Sequence, residues 1–171
     1  ERGDLKDGRR YGLEAESLYR AAELGAIKTK YLSEPRQLLA DAARARVDRY
    51  APATLQKSRD LLARAERELN ETRYDTALPR SLAQQANYEA RHAIYLSEVG
   101  RRVRDRELSV EELVLSWEKP LAEIAAAADI VPDMANGGDA VGAQLAGHIT
   151  TLTESNQGLE QDVRESEQRV A

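Results

Sequence analysis

The chain has 171 residues, a formal net charge of −5, 42% hydrophobic and 32% charged residues, no cysteine, no phenylalanine, one tryptophan and one methionine. That length supports one domain or one extended helical assembly, the acidic balance argues against sequence-independent nucleic-acid binding, and no apolar run approaches the ~20 residues of a membrane span. Without cysteine there are no disulfides, no thiolate metal sites and no thiol chemistry.

The favoured residues, Ala, Leu, Glu, Arg and Gln, are strong helix formers. Alanine-rich seams let helices approach closely but bury little area per contact, which suits elongated helical packing better than a thick globular core. The chain begins at Glu1 without Met and reads as a processed or excised piece.

Residues 1–10 are charged and glycine-punctuated and are expected to fray. A first helix is predicted from about Tyr11 to Leu32, where Leu13, Ser17, Ala21, Leu24, Ile27 and Tyr31 fall on one face. Ser33 can cap a second helix with Pro35 in its first turn; a kinked continuation of the first is the alternative. The second helix carries Leu38, Leu39, Ala42, Ala43 and Val47 and ends near Tyr50.

Pro52 holds Ala51 out of helical geometry and opens a third helix, whose seam is Leu55, Ser58, Leu62, Ala65 and Leu69. The polar stretch from Asn70 to Thr76 breaks it, and Asp75 or Thr76 caps a fourth helix. The stripe of that helix is Leu82, Ala86, Ala90, Ala93, Leu96, Gly100 and Val103. Ser109-Val-Glu-Glu112 is a capping box, with Leu108 and Leu113 placed to form a hydrophobic staple. The fifth helix is expected to pack Leu113, Val114, Trp117, Leu121, Ile124 and Ala128, with a kink or break at Pro120.

Residues 131–138, VPDMANGG, read as a loop, and Asp139 can cap a last helix. Its apolar period tightens to a heptad, with Ile149, Asn156, Val163 and Val170 at a and Leu145, Leu152 and Leu159 at d. Branched a residues, leucine d residues and one a-position Asn are the pattern of a parallel two-stranded coil. Against it stand Ser166 at the next d, Gly158 inside the helix and Asp162 at g facing Glu167 at e of a partner. Leu145, Ile149, Leu152, Asn156, Leu159 and Val163 thus form a candidate self-association seam, which would make a homodimer; packing back onto the chain's own bundle is the alternative.

No catalytic, cofactor or metal site emerges. Glu89 and His92 form one Glu-x-x-His pair, but a di-iron bundle needs two, and the residue three before the other histidine, His148, is Leu145. Two histidines in separate helices give the serines no triad geometry. Carboxylates are spread over polar faces, and Gly137-Gly138 lacks the strand and Lys of a phosphate loop. The densest basic run, Arg101, Arg102, Arg104 and Arg106, lies near a helix C-terminus, where the dipole favours cations; an anionic partner such as phospholipid or cell-wall polymer is the other reading. The seven tyrosines are expected to cover packing edges with their hydroxyls wet.

Tyr50-Ala51-Pro52, Leu55, Leu62, Ala65, Leu69, Tyr74-Asp75, Ala83-Gln84-Gln85-Ala86 and the run Glu89-Ala90-Arg91-His92-Ala93-Ile94-Tyr95-Leu96 resemble a helical module of unknown function in bacterial envelope proteins. The segment from Ala22 to Ile27 with Tyr31-Leu32 resembles its upstream helix, and the coil-like tail also matches, so the resemblance spans most of the chain. That module commonly precedes an OmpA-like peptidoglycan-binding domain, often in a lipoprotein. The resemblance implies a periplasmic, outer-membrane-associated setting, with an acylated N-terminus upstream and a wall-binding domain downstream.

The expected fold is therefore all-α: an extended bundle of about six helices in antiparallel hairpins, with an alanine-rich body over 11–130, a loop over 131–138 and a coiled-coil-like helix over 139–171. The expected function is a non-enzymatic spacer or partner-docking module between outer membrane and peptidoglycan, touching an envelope protein or, through a domain outside this chain, the cell-wall polymer. A receptor groove for one specific envelope protein is the alternative, and an enzyme with a site not recognised in the sequence is a further one.

Overall fold

Among the residues described by the computed structural model, 2–72 and 75–170, the chain forms five α-helices, two short 3-10 turns and no strand. The helices are α1 (Arg2–Arg44), α2 (Pro52–Glu71), α3 (Ala77–Arg104), α4 (Val110–Ala127) and α5 (Gly138–Val170). The fold is the expected all-α helical bundle. Arg73 and Tyr74, inside the predicted turn, and Glu1 and Ala171 at the ends lie outside the described residues.

The chain divides into two compact units, Glu1–Glu107 and Leu108–Ala171. This corrects the expected body over 11–130: α4 shares its core with α5. Ala125, Val141 and Leu145 are buried together, with Leu121, Ala128, Ile130 and Met134 packed on them.

In the first unit α2 and α3 form an antiparallel hairpin. The predicted seam of α2, Leu55, Ser58, Leu62, Ala65 and Leu69, is buried along its whole length. It meets Leu82, Ala83, Ala86, Ala90 and Ala93 of α3. The small residues bring the backbones close enough for the buried Ser58 hydroxyl to donate to the Ala86 carbonyl at 2.8 Å. The second half of α1 completes a three-helix bundle, with Leu32 in one core cluster and Ala42 in the other. Arg36 reaches Glu66 of α2 at 2.6 Å, and Glu34 accepts from Asn87 and Arg91 of α3 at 2.9 and 2.5 Å.

α1 runs unbroken through Pro35, so the two predicted helices are one and Ser33 is not a cap. Pro35 leaves the Tyr31 carbonyl without its helical donor, yet its ring is fully buried, and that packing offsets the lost bond. The segment 2–10 is the first part of α1. From residue 7 to residue 23, however, every side chain of α1 is exposed. Leu13, Ser17 and Ala21 of the predicted stripe cover nothing, and only Leu24, Ile27 and Tyr31 reach the core. Val47 is buried but sits in the 3-10 turn after α1, which leaves helical geometry at Arg46 with a φ of 54°.

Two helices close with the double bond of a Schellman motif around a non-glycine residue. After α3, Glu107 N–H donates to the Arg102 carbonyl and Arg106 N–H to Val103, with Arg106 at a φ of 60°. After α4, Ile130 N–H donates to Ala125 and Asp129 N–H to Ala126, with Asp129 at a φ of 55°. The Ser109 capping box forms in full: the hydroxyl accepts from Glu112 N–H at 3.1 Å, and the Glu112 carboxylate accepts from Ser109 N–H at 2.7 Å. α4 continues through Pro120 without the predicted break. α5 starts at Gly138, placing Asp139 in the first turn rather than at the cap.

Candidate interaction surfaces

The basic run at the end of α3 is folded into its own neutralising shell. Arg101 donates to Glu98 at 2.7 and 3.1 Å and to Asp105 at 3.2 Å, with Glu107 at 3.6 Å. Arg104 forks onto Asp105 at 2.7 and 3.1 Å and lies over the Tyr50 ring, 5.4 Å from its centre. Hydrogen bonding from Arg101 holds the Glu98 carboxyl below its ordinary range, and hydrogen bonding from Arg104 does the same for Asp105. The bond to Glu98 in turn raises the Arg101 guanidinium above its usual value. Arg106 serves as the left-handed residue that ends α3. Of the four arginines of the anionic-partner reading, Arg101 and Arg104 are paired with local carboxylates, and four cations stand beside three acids.

Glu89 and His92 do not converge as ligands. The Glu89 side chain is only 10% exposed and pairs with Lys57 of α2 at 2.6 Å. This hydrogen bond pushes the Lys57 ammonium above its ordinary value. His92 stacks on Tyr88, ring centres 5.7 Å apart. Among the described residues no group of three or more His, Asp or Glu side chains is placed to hold a metal ion, and no helix is long and apolar enough to cross a membrane. The tyrosines depart from expectation: Tyr11, Tyr19, Tyr88 and Tyr95 are more than half exposed, while Tyr31 and Tyr50 pack.

The surface the sequence did not single out is on α4. Its inner stripe, Leu121, Ala125 and Ala128, packs on α5. Val110, Val114, Trp117 and Ile124 repeat at steps of four, three and seven along an open stripe, and Trp117 is 58% exposed. Val114, Trp117 and Ile124 were expected in a core. α4 carries more apolar residues than one neighbour can cover, and a reading of periodicity alone merges both stripes into one.

On α5 the described seam residues divide. Leu145 is buried against α4, whereas Ile149, Leu152, Leu159 and Val163 are 51–59% exposed. Every residue from 149 to 169 is exposed. At the base of this stretch Ile124, Ala127, Ala128, Leu145, His148, Ile149 and Leu152 line an open groove of about 470 Å³.

Comparison with protein-family models, with curated proteins and with solved structures finds no match to this chain.

Proposed function

We propose that this chain is a non-catalytic docking and spacing module of an OmpA-like cell-envelope protein, working in the periplasm between the outer membrane and peptidoglycan. The envelope setting comes from the sequence resemblance, centred on Tyr50-Ala51-Pro52 and Glu89-Ala90-Arg91-His92-Ala93. The docking role is carried by one observation: the stripe of Val110, Val114 and Trp117 stays open on a helix whose other stripe is already packed. A contiguous apolar strip of this kind marks a protein contact, and a half-exposed Trp is the typical anchor of one. The open stripe supports docking over a passive spacer, whose faces would be polar all round.

Fractionation with site-specific photo-cross-linking in cells tests the reading. The intact gene product is expected in the envelope fraction, and a photo-reactive residue replacing Trp117 is expected to capture a defined envelope protein. The same residue replacing the exposed Arg59 of α2 should not. A cytoplasmic product, or capture that is equal from both positions, overturns it.

A further inference from the structure

The exposed part of α5 is a helix without a reason to be one on its own. Every side chain from 149 to 169 is exposed, and the stretch includes Gly158 and several β-branched residues, which lower helix propensity. α4 meets only the base of this stretch, at Ile149 and Leu152, and cannot cover the rest. It has 18 residues against the 33 of α5, about 27 Å against about 50 Å at helical rise, and its shared core stops at Leu145.

What remains uncovered is a heptad seam: Ile149 and Val163 at a, Leu152 and Leu159 at d, and Asn156 at the a position between them. We propose that this seam binds the same seam of a second copy of the chain, as a parallel, in-register two-stranded coil beginning at Ile149. The inference concerns α5 alone and does not rest on the envelope reading.

Asn156 identifies the occupant. Its amide has no hydrogen-bond partner among the described residues, although it sits in the middle of an apolar stripe. Placing it against a foreign apolar helix would strand both donor and acceptor. In a parallel in-register pair it meets its own copy, and each amide supplies what the other lacks, at a cost in stability that fixes register and strand number. Ser166, at the next d, carries no such cost, because its hydroxyl already donates to the Val163 carbonyl at 2.8 Å.

The area is also of the right order. With four seam residues just over half exposed, roughly 100 Å² each is available, so two copies can cover about 800 Å² before the flanking stems of Glu160 and Arg164 are added, near the ~1,200 Å² lower bound of a standard interface. That predicts a weak, concentration-dependent dimer. The flanking charges weaken it further: Asp162 at g faces Glu167 at e of the partner, whereas Ser155 opposite Glu160 is neutral.

The absence of cysteine makes the test direct. Leu159→Cys places a thiol at the seam and Glu154→Cys places one on the outer face; both positions are exposed, so the fold should tolerate either. Under a glutathione redox buffer, Leu159→Cys is expected to form disulfide-linked dimer at least tenfold more than Glu154→Cys. Sedimentation equilibrium of the unmodified chain should show dimer growing over tens to hundreds of micromolar. Leu152→Ser should weaken it at least tenfold, Glu167→Arg should tighten it several-fold, and Asn156→Leu should tighten it while releasing the two-strand limit. A monomeric mass at several hundred micromolar, or equal cross-linking from positions 154 and 159, overturns the proposal. So does a dimer indifferent to Leu152→Ser, and one that Glu167→Arg leaves unchanged overturns the parallel register.

Discussion

The Tyr50 ring lies directly on Gly100: a Cβ added at position 100 would stand 3.0 Å from both Cβ and Cδ1 of Tyr50. Tyr50 belongs to the turn between α1 and α2, and Gly100 to the last third of α3, so this contact closes one end of the three-helix bundle. Arg104, one turn further along α3, lies over the same ring, 5.4 Å from its centre.

Glycine inside a helix ordinarily costs about 0.5–1 kcal/mol relative to alanine, so Gly→Ala should stabilise wherever there is room. At Gly25 in α1 nothing lies within 4 Å, and Gly25→Ala is expected to stabilise by about that amount. Gly100→Ala must displace the Tyr50 stem, a shift expected to cost about 1–3 kcal/mol and to outweigh the propensity gain. Urea denaturation of the two variants should move the midpoint in opposite directions.

Arg106 and Asp129 hold left-handed conformations that L-residues adopt at a cost of about 1 kcal/mol or somewhat more. Each closes a helix in a position usually taken by glycine. Arg106→Gly and Asp129→Gly are therefore each expected to stabilise their own unit by about 1 kcal/mol, read by amide exchange at the end of α3 and of α4 respectively.

Ser58 ties α2 to the backbone of α3 through its bond to the Ala86 carbonyl. Ser58→Ala keeps the approach and loses one buried hydrogen bond, an expected loss of about 0.5–1.5 kcal/mol. Ser58→Leu forces the helices apart at a fully buried position facing Ala86 and should cost about 2–4 kcal/mol, overpacking added to the lost bond. Thermal melts of the pair, with Arg59→Ala as a surface control, separate the two effects.

Ionisation should act on stability with opposite signs at the two ends of the pH scale. The pKa of Lys57 is raised above 10.5 by its bond to Glu89, so its contribution is whole below 10.5 and is lost as pH climbs through the folded value. The wild type should therefore lose more stability than Glu89→Gln as pH rises from 10.5 through the folded value of Lys57. Glu98 and Asp105 are held below 4.5 and 3.8, so their contribution is present above those values and lost as acid takes the pH through the folded ones. Carboxyl carbon shifts should place both midpoints low in the wild type, and Arg101→Ala should return that of Glu98 toward 4.5.

How much was legible beforehand depends on whether a face's partner is close in sequence. The all-helical class, the α2 seam, the capping box at Ser109 and the turn opened by Pro52 all rest on local rules: propensity, period and cap geometry. The α2–α3 hairpin was readable because a five-residue connection leaves each stripe only one neighbour to meet. Local rules left two outcomes open at Pro35, and the ring is buried in the continuous one; they placed Arg101 and Arg104 at a helix C-terminus, but not the carboxylates of Glu98, Asp105 and Glu107 beside them.

The sequence by itself determined which faces are apolar, from Leu13 on α1 to Trp117 on α4 and Ile149 on α5. Only the tertiary structure decided which of those faces the chain covers for itself. Leu32 and Ala42 found α2 and α3; Leu145 found Ala125; Leu13, Trp117 and Leu152 stay more than half exposed. Periodicity cannot make that distinction because the drive to leave water is non-directional. It requires that an apolar stripe be covered, but names no partner.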